Sequence, residues 1–399
     1  MAIFTVFFSG TGAHSEKHIH NDYINGELIS VLAKNAVGQD MLDYIQVDGV
    51  GSGNRFEWRK HTKDDTYHKI RGTLGSGIDS NLNHVLNVMR GYEEDKGDYL
   101  TRAKNLMHDT QPQKKDSFWS WGTSSAYQHW LQEAKLLSLD LKDAMSMEKA
   151  NINAERAINP ITCVNMVGWS RGGVSCFELA NRMSKDRKLC NIPVNIFACD
   201  PVPGGTNSFK DYKTLAKNVK SIVCFFAEDE SSLGFKARMP RLHKSTKYYT
   251  SMIPGRHATL VGNAHTSGAS SGGDLLSGPG LITRDFAEKV LVGWGSRLKQ
   301  GSMLNLTRNN VLGLYQQVMG NSVHFNNMSQ HTYTVKDRRL WSSRIGQKRE
   351  SWFGIPTSRF HFPGINNEYP AAVNRHHSDV LDGNLFAVHG ISEAIGSAI

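Results

Sequence analysis

The chain lacks most of what would mark a secreted, membrane-spanning or nucleic-acid-coating protein. Its five cysteines (Cys163, Cys176, Cys190, Cys199 and Cys224) are too few, and odd in number, to staple 399 residues. They read as buried reduced thiols, the expectation for a chain made in a reducing compartment. No apolar run approaches the roughly 20 residues that a helix needs to cross a bilayer. The opening MAIFTVFFSG is apolar but brief and has no positive flank, so it reads as a strand and not as a signal peptide. There is no internal repeat and no block of like charge. Lysine and arginine outnumber the acids 46 to 37, a net charge of +9, but they are scattered. Scatter argues against nucleic acid as a partner and leaves attraction to anionic surfaces such as acidic lipid headgroups.

Two further absences narrow the chemistry. Ser9-Gly10-Thr11-Gly12 follows the first apolar run, but a dinucleotide fingerprint would need glycine at position 15, which is Ser15. His14, His18, His20 and Asp22 lie close together without any further ligand pattern, so no metal site is expected there.

What is present centres on ITCVNMVGWSRGGVSC, residues 161–176. A β-branched apolar run reads as a buried strand and stops at Gly168-Trp169-Ser170-Arg171-Gly172-Gly173. Val174, Phe177, Ala180 and Met183 then recur at helical spacing. Strand, G-x-S-x-G and helix together form the context of a nucleophile elbow. The glycines allow the tight turn, the Ser170 hydroxyl stands clear of the sheet, and the Arg171 N–H at the helix start is free to hold an oxyanion. The plain alternative is a glycine-rich strand–helix turn with an idle serine.

The remaining pattern alternates strands and helices, with strands at 3–8, 42–47, 194–199, 221–226 and 247–253 and helices at 27–36, 284–292 and 309–318. Another helix carries Ile78, Leu82, Val85, Leu86 and Met89 on one side. Asp48-Gly49-Val50-Gly51-Ser52-Gly53 closes the second strand, and Gly75-Ser76-Gly77 opens the helix after it. The expected fold is α/β of the α/β-hydrolase type: a doubly wound, mostly parallel sheet with a helical insert, as cap or lid, and a C-terminal extension. The hydrolase domain is expected over residues 1–300 with the insert at 93–158, and the extension over 301–399.

Several motifs resemble the α/β-hydrolase domain of bacterial type VI secretion phospholipase effectors and their uncharacterised homologues. Ser9 to Gly12 resembles that family's D-G-T-x-N, with serine in the acid's place. Gly75 to Asn81 is similar to its G-x-G-x-x-x-N, and Gly168 to Gly173 to its elbow G-F-S-R-G-A. Cys199 to Val202 resembles W-D-T-V, and Pro254 to Asn263 resembles P-G-x-H-S-D-V-G-G, with Ala258-Thr259 replacing Ser-Asp. The resemblance implies a phospholipid or other lipid ester as substrate. It also implies a chain made in the cytoplasm and exported by a specialised secretion system.

A serine hydrolase needs a base for the hydroxyl proton and an acid to hold that base, in the chain order Ser, acid, His for this fold. Ser170 is the candidate nucleophile. Asp200, at a strand's end, is the candidate acid, with Asp229 the alternative. His257 is the candidate base, with His377 the alternative. Gly10, Thr11 and Arg171 are the candidate oxyanion donors. Such chemistry needs no metal or organic cofactor. A soluble carboxylesterase or thioesterase would use the same residues, and a non-catalytic binding protein could retain the fold.

The insert carries Phe118, Trp119, Trp121, Tyr127 and Trp130, then an amphipathic run with Leu136, Leu137, Leu139, Leu141 and Met145. Tryptophan suits the boundary between headgroups and acyl chains, which makes the insert a candidate lid. A lid predicts that Trp119→Ala with Trp121→Ala stays folded, hydrolyses a soluble short-chain ester normally and loses turnover on anionic vesicles. A structural cap predicts instead a fall in thermal stability, about 3–5 kcal/mol for a buried aromatic, with no selective vesicle defect.

Overall fold

The computed structural model describes residues 2–14, 23–50, 78–92, 103–104, 107, 125–204, 209–230, 235, 237–264 and 276–328. The candidates His18, His20, Asp22, the glycines at 51, 53, 75 and 77, Phe118, Trp119, Trp121 and His377 lie outside the described residues.

Among the described residues, six strands form one sheet: β1 (Ala2–Phe8), β2 (Tyr44–Val47), β3 (Ile161–Trp169), β4 (Val194–Cys199), β5 (Val219–Ala227) and β6 (Lys247–Ile253). Every pairing is parallel and the order is β2-β1-β3-β4-β5-β6. This is an α/β fold. Both faces of the sheet are buried, as a parallel sheet requires, and each strand divides its side chains between them with period two. Val164 and Met166, Ile196 and Ala198, Ile222, Cys224 and Phe226 face one hydrophobic cluster. Val167 and Trp169, Phe197 and Cys199, Val223, Phe225 and Ala227 face the other.

Helices cover the two faces. On the first lie α2 (Ile78–Arg90), with Ile78, Leu82, Val85, Leu86 and Met89 buried, and α4 (Arg171–Lys185), with Val174, Phe177, Ala180 and Met183 buried. The second is covered by α1 (Leu28–Asn35), α5 (Gly278–Gly293), α6 (Arg308–Gly320) and α7 (Ser322–Met328). The buried Glu27 caps α1, its carboxylate accepting the Ile29 and Ser30 N–H groups at 3.0 and 2.9 Å. Helix α5 starts well before the 284–292 read from periodicity, because Pro279 stands in its first turn and Gly280 packs on the backbone of Gly262. Val311, Tyr315, Val318, Phe325 and Met328 complete the second core, so the chain beyond residue 300 continues in the same hydrophobic unit as far as 328.

The helix α3 (Ser125–Ile158) is 34 residues long. Its inward stripe is Trp130, Ala134 and Leu137, packed toward Ala103 and Met107, with the Trp130 indole N–H on the Met107 carbonyl at 3.0 Å. Leu136 and Leu139 do not join that stripe. They are 64% and 57% exposed. A position one or two residues beyond an inward one points around the helix, away from it.

Register carries the functional consequence. Phe8 pairs with Gly168, Trp169 with Cys199, Cys199 with Phe225 and Ala227 with Ile253. The strands therefore end nearly level, and the segments leaving them emerge along a single edge. The chain also reverses its direction of travel across the sheet between β1 and β3, the point where ligands bind in open α/β sheets.

At its C-terminal end α3 is tied to the sheet by Arg156, whose guanidinium donates to the carbonyls of Val88, Leu42 and Met41 at 3.0, 2.9 and 2.8 Å and lies over the Phe4 ring. Arg156→Met removes all three donors, and we expect stability to fall by about 2–3 kcal/mol in urea titration with an unchanged m value. A loss under about 0.5 kcal/mol would mean that solvent serves those carbonyls equally well.

Candidate active site

Ser170 stands between β3 and α4 at φ 58°, ψ −127°, a left-handed conformation that a residue with a side chain adopts only under constraint. The constraint is backbone against backbone. A Cβ on Gly168 would fall 2.3 Å from the Gly172 carbonyl oxygen, and one on Gly172 would fall 2.2 Å from the Phe8 carbonyl oxygen. Ser170 N–H donates to Cys199 O at 3.1 Å, and its own carbonyl accepts the Val202 N–H at 3.2 Å. The elbow is thus held to the ends of β1 and β4 at once.

The Val202 bond and the β3–β4 register set Ser170 beside Asp200, itself at φ 38° and fully buried. Asp200 Oδ2 meets His257 Nδ1 at 2.5 Å, and Oδ1 accepts the Ala227 N–H at 3.2 Å. Burial pushes the Asp200 carboxyl above its ordinary range, while the His257 imidazole and the Ala227 N–H act against that shift. Its charge therefore depends on keeping the imidazole partner. Among the described residues, His257 Nε2 is buried without a hydrogen-bond partner and no bond joins it to Ser170 Oγ. Contacts of this kind often tighten only when substrate is bound.

Asp229 is placed differently. Its Oδ2 accepts the Gly255 N–H at 2.8 Å, which braces the turn leading to His257 from behind. Asp200, and not Asp229, is the carboxylate that contacts the His257 ring.

The three candidate oxyanion donors also come together. Gly10 packs against Trp169, since a Cβ on Gly10 would sit 2.3 Å from the indole, and Arg171 Nε donates to Thr11 Oγ1 at 2.6 Å. As the first residue of α4, Arg171 has no intrahelical acceptor for its N–H. Among the described residues no acceptor takes that N–H, or those of Gly10 and Thr11. Of these three unclaimed donors, the Arg171 N–H lies at a helix N-terminus, a position that suits negative charge.

Sequence reasoning gave no role to four residues that hold this arrangement. Trp169 stacks obliquely on His257, centroids 5.1 Å apart, and its indole N–H donates to the His257 carbonyl at 3.1 Å. Phe235 meets the same imidazole edge-on at 5.0 Å. The fully buried Glu230 accepts the His257 backbone N–H at 3.2 Å and pairs with the equally buried Arg256 at 3.4 Å. Only the place of Glu230 and Arg256 at strand ends hinted at them, because burial of a charge is not written in local sequence.

The clustered glycines predict an order of damage. Gly172→Ala puts a methyl group against backbone that cannot rotate away, and we expect a loss of about 3 kcal/mol or more, the upper range for overpacking. Gly173→Ala meets the Pro201 side chain at 3.0 Å, a contact that small shifts relieve, and should be milder. Thermal melts of the two variants would contradict this if Gly173→Ala were the less stable.

No family model and no curated protein matches the sequence. Among solved structures, an uncharacterised protein from Pseudomonas aeruginosa is similar at 14% identity, over 74% of this chain and 46% of its own, with a TM-score of 0.45. The Tle1 effector in its structure bound to the VgrG spike from the type 6 secretion system is similar at 11% identity, over 65% of this chain and 50% of its own, with a TM-score of 0.32. The chain spans about half the length of these two structures. Neither likeness bears on the chemistry of the site.

Proposed function

We propose that this protein is a serine hydrolase of the α/β-hydrolase type that cleaves lipid esters, with phospholipids as the expected class. The observation that carries the reading is the buried Asp200–His257 hydrogen bond, formed at the strand edge where Ser170 sits on its strained turn. In this reading Ser170 Oγ attacks the ester carbonyl as His257 Nε2 takes its proton, and Asp200 holds the imidazolium through Nδ1. The oxyanion of the tetrahedral intermediate accepts from the N–H groups of Arg171 and of the Gly10-Thr11 turn. Its collapse breaks the bond to the alcohol, which leaves with the proton from His257. Water, deprotonated by the same nitrogen, then attacks the acyl-enzyme, and the carboxylic acid departs.

Lipid as substrate rests on the motif resemblance and on the exposed apolar side chains of α3. Leu136, Leu139 and Met147 are 64%, 57% and 69% exposed on one helix, a composition that suits an acyl surface better than water. Among the described residues no helix is long and apolar enough to cross a membrane, so contact with lipid would be made from the aqueous side.

A fluorophosphonate probe and a lipid panel test the reading together. The wild-type protein should label at one serine and release fatty acid, and Ser170→Ala should do neither, a loss on the order of 10⁶ where such serines have been removed. Asp200→Asn should lower turnover by about 10⁴. Asp229→Asn retains an oxygen for the Gly255 N–H and should still label. Absence of labelling in the folded wild-type protein would leave a binding module. Loss of turnover in His377→Ala but not in His257→Ala would move the base to the C-terminal segment.

A further inference from the structure

Arg171 has a side chain that the reaction above does not use. It leaves the first turn of α4, its Nε on Thr11 Oγ1 at 2.6 Å and its Cδ 3.8 Å from where a Cβ on Gly204 would stand. The guanidinium is therefore held between the loop after β1 and the loop after β4, beside the Ser170 elbow. Its hydrogen-bond partner is a neutral hydroxyl, and no carboxylate among the described residues pairs with it. The other arginines that pack against the core differ. Arg182 has Asp79 and Glu178, Arg256 has Glu230, Arg284 has Glu288, and Arg156 has three carbonyls. Burial lowers the Arg171 pKa to about 10, which leaves it a permanent cation at neutral pH.

A half-buried charge with no carboxylate partner among the described residues has lost water and gained little in return. The Nε bond fixes the plane of the fork and leaves the Nη pair, the geometry that takes a phosphate or carboxylate through two parallel bonds. We propose that the Arg171 guanidinium is an anion-recognition element of this site, so that the preferred ester carries a phosphate or carboxylate a few bonds from the scissile carbonyl. The proposal rests on Ser170 being the nucleophile, because the same residue would hold the carbonyl through its backbone N–H and the anionic group through its side chain. One side-chain length then separates the two recognised groups.

The test compares matched ester pairs and reads a ratio, so that any general loss of rate from disturbing Thr11 cancels. Mono-p-nitrophenyl glutarate against p-nitrophenyl pentanoate forms the carboxylate arm. Dihexanoyl phosphatidic acid against dihexanoylglycerol forms the phosphate arm. In at least one arm the kcat/KM ratio of anionic to neutral ester should exceed one in the wild-type protein. It should fall about tenfold or more in Arg171→Gln, the order of one charge-assisted contact, and recover in part in Arg171→Lys. The arm that responds identifies the anion. Equal loss on charged and neutral esters would overturn the proposal and leave Arg171 a clamp on Thr11. If the wild-type protein turns over none of the esters, the hydrolase reading fails, and the anion site is then decided by binding. Inorganic phosphate and phenylphosphonate should raise the melting temperature of Ser170→Ala saturably and leave Ser170→Ala/Arg171→Gln unmoved; equal responses in the two would overturn the site itself.

Discussion

Close approach of bare backbone at the junction of β1, β3 and β4 is the constraint on which the rest depends. Gly168, Gly172 and Gly10 have no side chain because carbonyl oxygens and an indole ring occupy the space a Cβ would need. That contact forces Ser170 to a positive φ, turns its side chain out at the strand edge and starts a helix directly behind it. A strained residue persists only where its surroundings over-determine it. Here two strand ends, two hydrogen bonds and a helix start do so.

Trp169 extends the constraint to His257. Its ring lies between Gly10 and His257, so one side chain spaces the loop after β1 from the imidazole, and its N–H fixes the His257 backbone. Glu230 grips that backbone from the other side through the His257 N–H. The imidazole is left with little freedom to move. Burial of Asp200, Glu230 and Arg256 is costly, and well-packed apolar side chains of similar volume commonly stabilise a core as much or more. Their positions make sense as support for one ring.

The long helix α3 departs from this economy. Its C-terminal end is tied to the sheet through Arg156, while Leu136, Leu139 and Met147 face solvent farther along. A soluble helix pairs its apolar residues with a core unless something else covers them.

Local pattern was enough for much of this. Continuous apolar runs located the strands because both faces of a parallel sheet are buried, and the helical spacing of Val174, Phe177, Ala180 and Met183 located α4 because that stripe packs on the sheet. The elbow was legible because its glycines and serine are adjacent in the chain and the turn is a local object. The partnership of Asp200 with His257 was not, since 57 residues separate them and Asp229 stood at an equivalent strand end. Strand order and register decided between the two carboxylates: β4 lies next to β3, and β5 lies one strand farther away. The tertiary structure alone also revealed the contacts of Trp169 and Glu230 with the His257 backbone and the neutral partner of Arg171. Each is a statement about which distant groups share a few ångströms of space, and that is settled by packing, not by periodicity.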